Sequence, residues 1–310
     1  LQSCGYETRH INLRFDQPGY LRVPLVSLEL LRTILSLPKG TELCLQYPVT
    51  KLLFKWHWLL KKRCVRLTTI VHDIESVRYT GKLSEEEREQ LSCFDSIIAH
   101  TPAMQELLIS SGVSADRIHL LQLFDYLATP PSPSPLNYQE GMPREVCFAG
   151  NLGKSLFLPE LQQIVGANLH VLLYGVGLSE EVELSDELQF KGKFAPDDLT
   201  LLRGHYGLVW DGEAITTCTG RIGEYLKINA PHKASLYIAA GIPLIVWRHS
   251  AIAPYVLEHQ LGIAVDSLLE LPERLASIDI AQYTRYREAV QVEQMKITQG
   301  LHLRNIISAL

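Results

Sequence analysis

The sequence predicts an α/β protein built as two doubly wound halves joined by a proline-rich linker. Two observations carry this. Short apolar runs alternate with longer amphipathic segments, first over residues 9–122 and again over 145–278. Between the two series stands Thr129-Pro130-Pro131-Ser132-Pro133-Ser134-Pro135, where four prolines in seven residues remove the amide donors that a helix or a central strand needs. Buried strands separated by helices of about 10–15 residues pair in parallel and cross over with a right hand.

In the first half the strand candidates are Arg9–Phe15, Glu42–Gln46, Val65–Val71, Ser96–Ala99 and Ile118–Gln122. The helix candidates between them are Leu25–Leu37, Lys51–Lys62, Ser84–Phe94 and Pro102–Ser110. Ser84 precedes Glu85, Glu86 and Glu87: a capping hydroxyl followed by carboxylates suited to the positive end of the helix dipole. Leu1–Gly5 reads as the end of a helix. An α/β domain ordinarily opens with a strand before such a helix, so a first strand is expected to be missing ahead of Leu1.

In the second half the strand candidates are Glu145–Ala149, Leu169–Tyr174, Leu188–Phe190, Gly207–Trp210, Pro243–Trp247 and Gly262–Val265. Helices are expected at Leu156–Val165, Pro196–Leu202, His232–Ala240, Ala253–His259 and Leu268–Ile278. Asp279–Leu310 reads as one or two helices, long enough to cross back onto the first half. Two Rossmann-like doubly wound domains facing a cleft, with a linker and a returning C-terminal helix, describe the GT-B architecture. The expected boundaries are 1–128 for the first domain, 136–285 for the second and 286–310 for the returning helix.

A chain of 310 residues suits two domains of ordinary size. With 46% hydrophobic and 20% charged residues, its composition is that of a folded globular protein. The net charge of −5 argues against a nucleic-acid partner. No apolar run reaches the ~18 residues of a membrane span, and residues 1–19 lack the charged start and apolar core of a signal peptide. The six cysteines, Cys4, Cys44, Cys64, Cys93, Cys147 and Cys218, form no CxxC pair. They read as reduced thiols of a cytoplasmic protein, with the inner face of the cell membrane as a second possible station.

The chemistry-bearing strings collect at strand ends. The strongest runs from Asn229 to Trp247. Pro231 suits the first turn of a helix. The amides behind it, with His232 and Lys233, make an anion site fitted to a diphosphate. A plain helix–glycine–strand unit closed by Gly241 has the same pattern. Next is Phe148–Lys154, a buried strand entering the turn Gly150-Asn151-Leu152-Gly153. Such a turn lets a ligand approach the backbone at the C-terminal edge of a parallel sheet, with Lys154 as a further phosphate contact; a tight βα turn is the alternative. Tyr174-Gly175-Val176-Gly177 and Trp210-Asp211-Gly212 end two more apolar strands at that edge. They could hold a base or ribose, with Lys191-Gly192-Lys193 nearby, although each alone is also ordinary turn chemistry.

In the first half an apolar strand delivers His72 and Asp73 together. Asp73 is a candidate general base for an acceptor hydroxyl, and His72 binds substrate or shapes the base; capping of the following turn by Asp73 is the alternative. Val49–Arg63 carries Lys51, Lys55, Lys61, Lys62, Arg63, Trp56 and Trp58. This pattern fits an anionic membrane surface, an acceptor platform or a solvated lysine face.

Phe148–Asn151, Gly207–Gly212, Gly223–Lys227 and Asn229–Gly241 resemble bacterial GT-B glycosyltransferases of the galactofuranosyltransferase type. That group is similar to the glucosyltransferases that extend glycans on serine-rich-repeat adhesins. His72-Asp73 and Thr101-Pro102 fall where the group has comparable first-domain motifs, and the likeness spans about His72 to Val265. It implies a UDP-sugar co-substrate held by the second domain and a glycan, glycolipid or glycoprotein acceptor held by the first. It implies no cofactor and no metal. Carried over residue by residue, Gly150, Asn151, Asp211, Asn229, His232 and Lys233 become donor-site candidates. Lys154, Tyr174, Gly175, Gly212 and Pro231 complete that set from the strand-end reading. Asp73, His72 and Lys233 are the expected catalytic residues.

Without a metal, the leaving diphosphate needs preorganised positive charge, and Lys233, His232 and the amides behind Pro231 suit that task. Many enzymes of this architecture carry a ribose-binding Glu three residues after the lysine of this helix. Here the position is Leu236, so Glu224 or Asp211 serves the ribose, or the donor is recognised differently. The expected reaction moves a hexose, galactofuranose or glucose or a similar sugar, to a glycan hydroxyl. The competing readings are a catalytically silent GT-B subunit supporting a partner transferase and a sugar-nucleotide epimerase. A plain nucleotide-binding module is disfavoured by the absence of a GxxxxGK[ST] string. Peripheral membrane contact and self-association stay open.

Overall fold

The structure, a computed structural model, describes residues 1, 5–13, 18–131, 138–139 and 141–310. The chain divides into two compact units, Leu1–Leu121 with Ile306–Leu310, and Gln122–Asn305.

Unit one contains α1 (Gly19–Ser36), β1 (Glu42–Tyr47), α2 (Lys51–Lys55), α3 (His57–Lys62), β2 (Arg66–Val71), α4 (Glu75–Thr80), α5 (Glu85–Ser92), β3 (Ser96–Ala99), α6 (Pro102–Ser110) and β4 (Ile118–Leu120). Its strands pair in parallel in the order β1-β2-β3-β4. β2 is buried from Leu67 to Val71, which explains its near-continuous apolar run. Its two threonines satisfy their hydroxyls on β1, Thr68 on Glu42 Oε1 and Thr69 on the Leu45 carbonyl, both at 3.2 Å.

Several expectations need correction here. Residues 9–13 form no strand. Arg9 donates to Ser36 Oγ at 3.1 Å, and the Asn12 amide donates to Glu29 Oε1 at 3.4 Å, so these polar groups serve α1 and not a sheet. Arg14 and Phe15 lie outside the described residues. Leu1 and Gly5 are not helical, and the rest of that segment is likewise outside. The helix expected over Lys51–Lys62 breaks at Trp56 (φ −103°, ψ 5°), whose indole N–H reaches Ser27 Oγ at 3.2 Å. Ser84 does cap α5, accepting from the Glu87 amide at 3.2 Å.

Unit two contains β5 (Arg144–Asn151), β6 (Leu169–Val176), β7 (Leu188–Phe190), β8 (Tyr206–Val209), α7 (Arg221–Tyr225), α8 (His232–Ala239), β9 (Leu244–Trp247), α9 (Ala253–Glu258), β10 (Gly262–Val265), α10 (Leu271–Ala276) and α11 (Ile280–Thr298). α12 (Leu301–Ala309) begins in this unit and ends among residues that count with unit one. The six strands are parallel in the order β10-β9-β8-β5-β6-β7. β5 and β8 are therefore neighbours from which the chain winds in opposite directions. Both faces of the sheet are covered by buried side chains, Phe148, Leu173 and Trp210 on one and Ala149, Tyr174 and Tyr237 on the other.

Two expected helices are shorter 3₁₀ turns, Leu158–Gln163 and Leu199–Leu201. Asp198 accepts from the Thr200 amide at 3.1 Å, a local side-chain bond that competes with a longer helix. Leu268–Ile278 is a 3₁₀ turn followed by α10, and the turn carries a capping box between Ser267 and Glu270. Of the expected linker, Thr129–Pro131 has no helix or strand, and Ser132–Pro135 lie outside the described residues.

Candidate functional site

In an open parallel sheet, ligands bind outside the carboxyl ends of the strands where the winding reverses. In unit two that point is between β5 and β8. β5 ends at Gly150-Asn151 beside Gly175-Val176 of β6, in register. Gly175 has φ 137°, and a Cβ there would lie 1.8 Å from the Gly150 carbonyl oxygen; only glycine permits this approach. A Cβ on Gly150 would meet Lys233 Cε at 3.2 Å, so the lysine stem lies across the glycine. Its Nζ stands 2.5 Å from Asp211 Oδ1 and 4.4 Å from the centre of the Phe148 ring. Nζ also donates to the Trp210 carbonyl at 3.4 Å; an ammonium has three N–H donors, so one is left for an anion.

Tyr237 fixes where α8 begins. Its hydroxyl accepts from the Ala149 amide at 2.8 Å, and its ring fills the space beside Gly207, where a Cβ would come within 2.2 Å. This ties α8 to β5 and β8. The first amides of a helix have no intrahelical carbonyl and carry the positive end of its dipole. Pro231 stands at the cap of α8 (φ −67°, ψ 140°), one position ahead of the expected first turn. His232 is exposed and stacks on Phe124 with ring centres 4.1 Å apart. The Asn229 carboxamide oxygen is buried without a hydrogen-bond partner among the described residues.

The loop after β8 is wound tightly. A Cβ on Gly212 would come within 2.7 Å of Cys218 Cα, and one on Gly223 within 2.5 Å of the Cys218 carbonyl. Glu160 accepts from the Ile215 amide at 3.1 Å, and the Trp210 indole donates to the Ala214 carbonyl at 3.0 Å. Burial pushes the Cys218 thiol up to about 12, which leaves it a packing group. Sequence reasoning missed Phe124, Glu160 and Cys218; the signal for the loop was the glycine set Gly212, Gly220 and Gly223.

The remaining second-half candidates divide. Asn151 accepts from the Gly153 amide at 3.1 Å and so builds the turn, and Lys154 is exposed on it. Tyr174, expected as a donor contact, is buried at the end of β6. Its ring meets Phe194 edge-on at 6.0 Å, its hydroxyl accepts from the Arg203 amide at 3.2 Å, and burial pushes it up to about 12. Tyr174, Lys191, Lys193 and Arg203 line an open groove of about 460 Å³. Glu224 is paired with Lys227 and Asp211 with Lys233, each at 2.5 Å.

In unit one, β2 is followed directly by His72 and Asp73. Asp73 Oδ2 accepts from Arg78 Nη1 at 2.9 Å. Burial raises the Asp73 carboxyl above its ordinary range, opposed by the charges of Arg78 and His72. Burial lowers the His72 imidazole, opposed by Asp73. Asp73 does not cap the following turn. Glu87 does so from α5, accepting from the amides of Glu75 at 3.1 Å and Ser76 at 2.8 Å and from the Ser76 hydroxyl. A partly buried carboxylate with a raised pKa is suited to accepting a proton. Thr101 is the cap of α6, its hydroxyl accepting from the Met104 amide at 3.1 Å.

Residues 17–123 match the family described as glucosyltransferase 3-like, N-terminal domain, and residues 146–310 match glucosyltransferase 3-like, C-terminal domain. The chain is 30% identical over 311 residues to β-1,6-galactofuranosyltransferase WbbI of Escherichia coli (strain K12), covering 94% of this chain and 88% of that protein. It is 23% identical over 252 residues to glucosyltransferase 3 of Streptococcus gordonii, covering 80% of this chain and 71% of that one. Among solved structures, Anabaena Alr3699/HepE in complex with UDP and glucose superposes with a TM-score of 0.59 at 14% identity, over 95% of this chain and 84% of that one. The fold is thus GT-B, and the chain belongs to the glucosyltransferase 3-like family.

Proposed function

We propose that this chain is a glycosyltransferase that moves a hexose from a UDP-sugar to a hydroxyl of a glycan, glycolipid or glycoprotein acceptor, without a metal. The observation that carries the reading is Lys233, laid across Gly150 and held by Asp211 at the winding reversal of unit two. The names of the relatives support it, a galactofuranosyltransferase and a glucosyltransferase, as does the UDP and glucose in the Anabaena neighbour.

In this reading the donor diphosphate lies against Lys233, the first amides of α8 and the Gly150 turn. Asn229 offers its unpartnered carbonyl to a donor N–H or O–H. As the bond between the sugar's anomeric carbon and the diphosphate breaks, charge grows on UDP, and Lys233 and the helix amides stabilise it. In unit one, Asp73 takes the proton of the acceptor hydroxyl, with Arg78 holding the carboxylate.

A thermal-shift panel with UDP, GDP, ADP and their sugar conjugates tests the donor site. A ligand at 100 times its dissociation constant stabilises the folded state by about 2.7 kcal/mol. UDP is expected to raise the midpoint of the wild type and not that of Lys233→Ala. Lys233→Ala should also lower kcat/KM by about 10²–10³-fold, as does loss of a donor to a developing anion elsewhere. No shift with any nucleotide would overturn the donor site.

A further inference from the structure

We propose that unit one docks on an anionic lipid surface through the outer face of α1, joined by the exposed Trp58 of α3. α1 buries Val26, Leu30 and Ile34 on one side. At 3.6 residues per turn, Leu21, Leu25, Leu28 and Leu35 fall on the opposite side, and they are 44%, 42%, 45% and 52% exposed. A helix apolar on both sides is ordinarily covered on both. No helix among the described residues is long and apolar enough to cross a membrane, so a spanning role does not explain the pattern.

Charge decides which occupant the face fits. Residues 19–63 hold eight Lys and Arg against two Glu, a net +6 in a chain of net −5. Lys51 and Lys61 are committed to Glu86 and Asp95, each at 2.6 Å. Arg32 on the outer side of α1, Lys55 at the end of α2 and Lys62 on α3 are exposed. Lys62 Nζ stands 5.0 Å over the Trp58 ring, which is 53% exposed. The Trp56 bond to Ser27 ties α2 and α3 to α1. Leucines with an exposed indole and a rim of cations suit the headgroup layer: leucines reach the acyl boundary, tryptophan sits at the interface and lysines meet lipid phosphates. A second copy, in a two-fold contact, would set this positive segment against itself. Resting on the glycosyltransferase reading, docking narrows the acceptor to a glycan carried on a lipid.

The test is co-sedimentation with vesicles of phosphatidylcholine alone or mixed equally with phosphatidylglycerol. The protein should pellet with the anionic vesicles and be released by high salt. Lys55→Glu with Lys62→Glu, and separately Leu25→Asp with Leu28→Asp, should each weaken binding by about tenfold or more, since each basic residue near the surface counts severalfold. Melting without ligand checks that each variant folds, and the UDP-induced shift reports the donor site separately, so loss of either result leaves the other readable. Absence of pelleting, equal pelleting with both vesicles, or binding that both variants retain would overturn the proposal. So would a dimer in sedimentation velocity that Leu25→Asp with Leu28→Asp dissociates, which would assign the face to a second copy.

Discussion

The two sheet edges that hold the candidate chemistry are built from different materials. In unit two, backbone lies against backbone. Gly175 leaves no room for a Cβ beside Gly150, Gly207 admits the Tyr237 ring, and the Lys233–Asp211 side chains are 18% and 23% exposed. In unit one, side chains hold side chains. Arg78 grips Asp73 with both about a third exposed, and Glu87 reaches across from α5 to tie down the turn that follows. Close packing fixes the first edge before any ligand arrives; the second depends on charges that water partly screens. The two edges should therefore differ in what breaks them.

The largest effect is expected in the framework of unit two. Glu293 of α11 is 2% exposed and meets Lys296 at 2.8 Å, His302 Nε2 at 2.7 Å and the Tyr255 hydroxyl at 2.8 Å. Burial alone would raise its pKa, but these hydrogen bonds outweigh it and hold the carboxyl at about 2, against 4.5 for the unperturbed group. A depressed carboxyl pKa gives stability that is complete above the unfolded value and is lost as pH falls through the folded one. Denaturant melts should thus lose about 3 kcal/mol between pH ~4.5 and ~2 from this group. Glu293→Gln should be destabilised by about that much at pH 7 and lose this part of the acid dependence. A variant whose acid limb matches the wild type would show that the buried cluster is not what acid breaks.

Tyr237→Phe probes the close-packed edge more gently. The ring still fills the space at Gly207, but the Ala149 amide loses its acceptor. An unsatisfied buried donor costs about 1–3 kcal/mol, which denaturant melts would read directly. Because Tyr237 ties α8 to β5, the UDP-induced shift should shrink as well. A full UDP shift in a destabilised Tyr237→Phe would mean that the start of α8 is placed by something other than this bond.

The same contrast explains what the sequence made legible. Parallel strands, the winding of unit two and the joining of Gly150, Asp211 and Lys233 at one edge followed from apolar runs that end in glycine. A glycine demanded by a close approach leaves a visible mark. The Glu87 clasp left none, because Glu85, Glu86 and Glu87 all look like first-turn carboxylates, and only the fold shows which one turns back to Ser76. The surroundings of Tyr174 were hidden for a related reason: strand alternation does not say which face of a sheet covered on both sides a ring will join. Residues 9–13 misled because an alternating pattern is also what a segment clamped to a helix displays.

The smallest effect should come from unit one, and it bears on the role of Asp73. If Asp73 is the proton acceptor, it works ionised, and the acid limb of kcat/KM reports its pKa. Burial raises that pKa and Arg78 opposes the rise. Arg78→Ala removes the opposing charge, so the carboxyl should titrate higher still and the acid limb should move toward neutral pH. A pair this exposed is screened, which keeps the expected displacement under about one pH unit. Arg78→Lys, which keeps the charge, should return the limb most of the way. A purely structural role for Arg78 would lower the rate at every pH and leave the limb where it was. An unmoved limb would therefore show that Arg78 does not set the pKa of the proton-accepting group, while leaving the donor edge of unit two untouched.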